Sequence, residues 1–199
     1  MFLCAMESKR GQNHYKLPNL LTYGRVAAVP LVVICLFWHE EIWMRWLALG
    51  IFVIAGVTDF FDGYLARAWS QQSSLGRMLD PIADKLLVAS CLLMLVGNGD
   101  IKSWSIWAAI VILCREILVS GLREYLAELR VSVPVSTVAK YKTALQIVSV
   151  GFLIAGNAGD VILPHTHDIG TVLLWGAAIL TLYTGYDYLR AGIKHVVEE

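Results

Sequence analysis

Six apolar runs occupy most of this chain and leave no room for a soluble domain. A membrane span needs about 20 residues, and the runs fall at roughly 20–38, 42–60, 79–97, 104–121, 137–156 and 170–189. Turn-forming breaks such as Gly97-Asn98-Gly99-Asp100 and Asn157-Ala158-Gly159-Asp160 separate them, with no internal repeat or low-complexity tract. Only 16% of residues are charged and 57% are hydrophobic, whereas soluble domains carry about a quarter charged residues. The expectation is an all-α integral membrane protein of six transmembrane helices forming one domain over 17–190, with tails at 1–16 and 191–199.

Charge placement gives an orientation. Lys9, Arg10 and Lys16 precede the first run, Arg67 and Arg77 fall between the second and third, Arg123 and Arg130 between the fourth and fifth, and Arg190 and Lys194 after the sixth. The alternate loops hold few cations: His39-Glu40-Glu41 has no lysine or arginine, nor do residues 157–169. The positive-inside rule then places both termini, and every segment between an even run and the next odd one, in the cytoplasm. A cleaved signal peptide is not expected, because the first run follows a long polar leader and contains Arg25.

One such cytoplasmic segment carries the chemistry. From Asp59 to Asp84 the chain reads Asp59-Phe-Phe-Asp62-Gly63-x-x-Ala66-Arg67, then Gly76-x-x-x-Asp80-x-x-x-Asp84. On helices, Asp59 and Asp62 share a face at i and i+3, and Gly76, Asp80 and Asp84 form an i, i+4, i+8 stripe. Two helices can therefore aim four carboxylates into one gap, where mutual repulsion demands a neutralising cation or protons. Oxygen-only ligands favour Mg²⁺ or Mn²⁺ over zinc, and four carboxylates suit a pair of ions about 3.5–4 Å apart bridging a phosphate. Glycines there allow close approach of a bulky ligand, and Arg67 can pair with phosphate oxygens.

Other residues invite simpler readings. Cys4, Cys35, Cys91 and Cys114 lack ligand spacing and read as packing residues. His165-Thr-His167 reads as a solvated loop far from the aspartates. Tryptophans and tyrosines at run ends, such as Trp38, Trp43, Trp46, Trp104, Trp107, Tyr186 and Tyr188, read as interfacial anchors. Ionisable residues at membrane depth are costly and point to function: Arg25, Arg115, Glu116, Lys140 and Lys142 form that set. Singly, each is as well explained by local pairing or snorkelling. Beside an acidic metal site, however, they supply the second, cationic pocket that a phosphorylated co-substrate needs.

The aspartate string resembles, at each specified position and with the same gap between Arg67 and Gly76, the signature of the CDP-alcohol phosphatidyltransferase family. The resemblance extends over about residues 17–190, through Pro18-Asn19-Leu20-Leu21-Thr22, Arg115-Glu116-Ile117, Leu122-Arg123-Glu124 and Lys140-Tyr141-Lys142-Thr143. It is nearest to the bacterial branch that uses sn-glycerol 3-phosphate, departing at Ala139, where that branch usually has glycine.

The resemblance implies phosphatidyl transfer from CDP-diacylglycerol to sn-glycerol 3-phosphate in the bacterial cytoplasmic membrane, by a homodimer among membrane lipids and without nucleic acid. It implies Asp59, Asp62, Asp80 and Asp84 as metal ligands and Asp84 as general base. Gly63, Arg67, Ser73 and Thr22 would seat the donor, and Arg115, Arg123, Lys140 and Lys142 the acceptor phosphate. A sibling transferase with another acceptor (serine, inositol phosphate, or phosphatidylglycerol giving cardiolipin) is the nearest alternative. A cation transporter would also place carboxylates in a membrane, but the aspartates lie at one face, without inverted repeats.

Overall fold

The computed structural model describes residues 17–69, 74–129 and 137–197, with the backbone alone described at 17–21, 59–69, 74–78, 80, 81, 128, 137, 139, 140 and 191–197. The expected tail at 1–16 and the donor candidate Ser73 lie outside the described residues. Among those described, the structure is entirely helical: α1 Leu17–Phe37, α2 Ile42–Trp69, α3 Ser74–Gly97, α4 Ser105–Glu128, α5 Thr137–Gly159 and α6 Thr166–Val197. Each apolar run thus becomes one helix. The charged ends extend several helices beyond their apolar runs, because arginine, alanine and leucine sustain a helix that hydropathy alone would end. Residues 191–197 belong to the end of α6.

Length decides where the aspartates sit. At 1.5 Å per residue, the 28 residues of α2 extend about 42 Å, against a hydrocarbon layer of about 30 Å. The Asp59–Trp69 end of α2 is therefore surplus to a crossing that starts near Ile42. Ser105–Ala127 and Thr166–Arg190 are long and apolar enough to cross a bilayer, and Thr22–Phe37 and Ile42–Thr58 are shorter apolar stretches.

Apolar side chains on both sides of the helices decide the environment. Leu36, Phe52, Leu92, Leu95, Ile112, Leu153, Ile154 and Leu174 are buried in the core. Meanwhile Leu31, Ile34, Ile54, Leu93, Ile117, Val172 and Ile179 face outward. An outer surface this apolar suits lipid and would be a liability in water. Trp38, Trp43, Trp46, Trp104 and Trp107 are exposed around the α1–α2 and α3–α4 turns, and Tyr125, Tyr141, Tyr183 and Tyr186 are exposed toward the opposite end. That distribution matches the two aromatic belts of a bilayer protein.

A buried arginine ties the tryptophan end together. Arg45 on α2 donates Nε to the His39 carbonyl at 2.9 Å, Nη1 to the Ile154 carbonyl at 3.3 Å, and Nη2 to both Asp100 carboxylate oxygens at 2.8 and 3.0 Å. His167 Nε2 contacts the Asp100 carbonyl at 2.7 Å, and Asn98 donates to the Leu36 carbonyl at 2.9 Å. His167 is therefore partly buried and engaged, unlike the solvated loop residue that the sequence suggested; His165 is exposed and contacts Asp168. Gly156 adopts φ +45° and kinks α5. A Cβ there would collide with Arg45 Nη1, so glycine allows both the left-handed backbone and the guanidinium's approach to Ile154.

Cys35 and Cys91 are buried and Cys114 is exposed, none of them disulfide-bonded.

Removing one partner of a buried pair leaves the other charge uncompensated, at a cost of about 3–5 kcal/mol. Asp100→Asn is expected to lower the melting temperature of the detergent-purified protein by about 6–12 °C, taking the lower bound of that cost at about 2–4 °C per kcal/mol. A drop below about 2 °C would show that the pair does not hold this end together.

Candidate active site

The opposite end of the bundle gathers the residues that the sequence singled out. Asp59, Asp62, Gly63 and Arg67 all fall on α2, and Asp80 and Asp84 on α3. The i, i+3 and i, i+4 spacings therefore apply on real helices. Side chains of Asp59, Asp62, Arg67, Asp80 and Lys140 lie outside the described residues, so contacts are described for Asp84 alone of the four aspartates.

Asp84 is held by α1. The buried Arg25 guanidinium donates Nη1 to Asp84 Oδ1 at 2.6 Å, and the Asp84 side chain remains 43% exposed. One face of the carboxylate is thus fixed by a charge-assisted hydrogen bond while the group keeps access to solvent or ligand. Thr22 is buried on α1, close in sequence to Arg25. An apolar cleft of about 270 Å³ opens between α1 and α2, lined by Ala28, Leu31, Ile51, Ile54 and Ala55, and reaches Arg25 and Thr58.

A second cluster joins α4, α5 and α6. Glu116 Oε1 accepts from Arg115 Nη1 at 3.3 Å and from Lys142 Nζ. Arg115 Nη2 donates to Thr184 Oγ1 at 3.1 Å, and the Thr184 hydroxyl donates to the Leu180 carbonyl at 2.9 Å. Lys142 is almost wholly buried. Arg123 does not join this network; it is exposed, with its guanidinium carbon 5.7 Å from the Tyr188 ring centre, a cation–π contact.

The two clusters sit at one level. Lys85, next to Asp84, donates to Ser120 Oγ, one helical turn beyond Glu116 on α4. An acidic helix pair and a cationic three-helix cluster therefore share the end of the bundle away from Arg45. Chemically, the first suits divalent cations and the second an anion such as a phosphate.

Sequence reasoning named Arg115 and Lys142 but gave no role to Thr184 or Ser120. Their partners lie far away in the chain, and the weak signal available was a threonine followed by glycine within an apolar helix. Arg45 was also overlooked, although an arginine inside an apolar run is itself a signal that a partner exists.

Residues 15–183 match the sequence model of the CDP-alcohol phosphatidyltransferase family. The chain is 46% identical over 179 residues to the CDP-diacylglycerol–glycerol-3-phosphate 3-phosphatidyltransferase of Rickettsia bellii, covering 90% of this chain and 96% of the relative. Proteins of the same name from Pectobacterium atrosepticum and Cereibacter sphaeroides are 38% and 36% identical, covering 92% and 94% of this chain and 98% and 99% of the relatives.

Proposed function

The chain belongs to the CDP-alcohol phosphatidyltransferase family, and on that footing we propose that it transfers the phosphatidyl group from CDP-diacylglycerol to sn-glycerol 3-phosphate, yielding phosphatidylglycerophosphate and CMP. The observation that carries this reading is the Lys85–Ser120 contact, which sets Asp84 and the Arg115–Glu116–Lys142 cluster at one level of the bundle. A reaction between two phosphate-bearing substrates needs an acidic, cation-binding half and a cationic half side by side. The relatives' names specify glycerol 3-phosphate, and two buried or half-buried cations favour an anionic acceptor over serine.

Asp59, Asp62, Asp80 and Asp84 are the residues that would hold divalent cations, because oxygen-only donors paired along two helices fit Mg²⁺ or Mn²⁺. When bound, such ions polarise the attacked phosphorus and offset charge on the departing CMP. Asp84, oriented by Arg25, accepts the proton of the acceptor's 1-hydroxyl as that oxygen attacks the phosphatidyl phosphorus. The bond from that phosphorus to the CMP oxygen breaks, and CMP leaves with the electron pair.

Gly63, Arg67, Ser73 and Thr22 seat the cytidine diphosphate in this reading. Arg115, Arg123, Lys140 and Lys142 take the acceptor phosphate, with Arg115 and Lys142 forming its buried part. The cleft between α1 and α2 gives a donor acyl chain an apolar path that ends at Arg25 and Thr58. A multi-pass placement in the cytoplasmic membrane, with both termini and the site facing the cytoplasm, belongs to the same proposal, as does a homodimer.

Asp59→Asn, Asp62→Asn and Asp80→Asn are each expected to lower turnover by at least about 100-fold while the protein still inserts in membranes, since changes to residues that merely support metal ligands already cost 10–100-fold. Near-normal turnover of any one at low Mg²⁺ and Mn²⁺ would remove that residue from the ligand set. Asp84→Asn should lower turnover by at least about 10²–10⁴-fold, because it removes the base together with a metal ligand; near-normal turnover would remove Asp84 from both roles.

Topology has its own test. In a background without native cysteines, a membrane-impermeant thiol reagent applied to intact cells should label Val161→Cys, which is exposed in the α5–α6 turn, and leave Gln71→Cys unlabelled. Labelling of Gln71→Cys alone would invert the orientation.

A further inference from the structure

Glu116 stands out as a carboxylate placed where an incoming anion needs cations. Its Oε1 accepts from both Arg115 and Lys142, and those two cations come from different helices, α4 and α5. Without an intervening carboxylate, the two cations would repel one another in a buried setting, and each long side chain would be free to take other rotamers. Arg115 is steered from a second side as well: its Nη2 donates to Thr184, whose own hydroxyl is anchored on the Leu180 carbonyl. Arg115 Nε is buried without a partner among the described residues, so the orientation of this guanidinium rests on Glu116 and Thr184.

The backbone of α6 makes room for that arrangement. A Cβ added at Gly185 would lie 2.9 Å from Arg115 Cγ and 3.3 Å from Arg115 Nε. The nearest obstructing atom, Cγ, sits close to the Arg115 backbone, so an alanine there would force Arg115 into another rotamer or push α6 away from α4.

We propose that Glu116 is a positioning residue which, with Thr184 and Gly185, locks Arg115 and Lys142 into a single two-pronged clamp for a phosphomonoester anion. This rests on the reading of Arg115 and Lys142 as the acceptor's phosphate site. Glu116 contributes by preorganisation: its carboxylate keeps both cations in place in the empty site, so that binding does not have to order them. The same residue disfavours acceptors without a strong negative charge, because a weak anion cannot offset the desolvation of two cations already satisfied by a carboxylate.

The test uses full-length protein in detergent with two readouts. The first is the KM for glycerol 3-phosphate and for CDP-diacylglycerol; the second is the rise in melting temperature produced by inorganic phosphate. Glu116→Gln is expected to raise the acceptor KM about tenfold with the donor KM changed by less than about twofold, and to abolish the phosphate-induced rise. Glu116→Asp should recover part of both. Gly185→Ala and Thr184→Val should shift both readouts in the same direction. The Glu116→Gln/Gly185→Ala double variant should be little worse than the more affected single one, because both act through Arg115.

Loss of turnover with both KM values and the phosphate effect unchanged would assign Glu116 a purely structural role and overturn the proposal. A lower acceptor KM in Glu116→Gln would overturn it too, since the carboxylate would then merely compete. If Glu116→Gln fails to fold, Gly185→Ala and Thr184→Val decide by the same criteria. If the wild type turns over a different acceptor, the reaction assignment fails, yet the phosphate readout still decides the clamp. No stabilisation of the wild type by phosphate or glycerol 3-phosphate would overturn the clamp outright.

Discussion

Charge at membrane depth is tolerable only in company, and the pairing of buried charges organises both ends of this bundle. At one end Arg45 spends every nitrogen on protein acceptors, namely Asp100 and the carbonyls of His39 and Ile154. Such a network joins α2, two turns and the kinked end of α5, and commits four of the five guanidinium N–H donors to protein acceptors. Its cost in desolvation is offset by these hydrogen bonds and by the fixed relation it imposes on the helix ends.

The other end uses the same physics and leaves it open. Arg25 binds one oxygen of an Asp84 side chain that is still accessible, and Glu116 couples two cations whose charge it only half cancels. In the Glu116 cluster that incomplete cancellation leaves positive charge available to an anion. The helices also set the height of this end. The motif-bearing end of α2 extends past the hydrophobic thickness, and in the proposed reading a lipid donor would leave its chains among Leu31, Ile51 and Ile54 while its head group meets polar residues.

Much of this was readable in the chain. Six apolar runs became six helices, since a span of about 20 residues is a one-dimensional signal, and the strict spacing of the aspartates survives because it is local to two helices. Boundaries were less legible: hydropathy ends the second run near residue 60, yet α2 continues to Trp69, because helix propensity and hydropathy are different properties of Arg67 and Ala68. Partnerships across the sequence were least legible. Arg45 with Asp100, Arg25 with Asp84, and Arg115 with Thr184 join residues on different helices, and only packing chooses among the available partners. Gly185 carries no mark of its role in the sequence, where it is one of 16 glycines; only the arginine beside it reveals why a side chain is excluded there.

Acceptor identity is the point on which the functional account turns. Purified protein in lipid nanodiscs, supplied with CDP-diacylglycerol, Mg²⁺ or Mn²⁺, and in separate reactions glycerol 3-phosphate, serine, inositol phosphate or phosphatidylglycerol, would decide it by following CMP and the lipid product together. CMP release in step with phosphatidylglycerophosphate is expected for glycerol 3-phosphate alone, and none after chelation of the metal. Equal or greater CMP release with serine or phosphatidylglycerol, and no phosphatidylglycerophosphate with glycerol 3-phosphate, would contradict it.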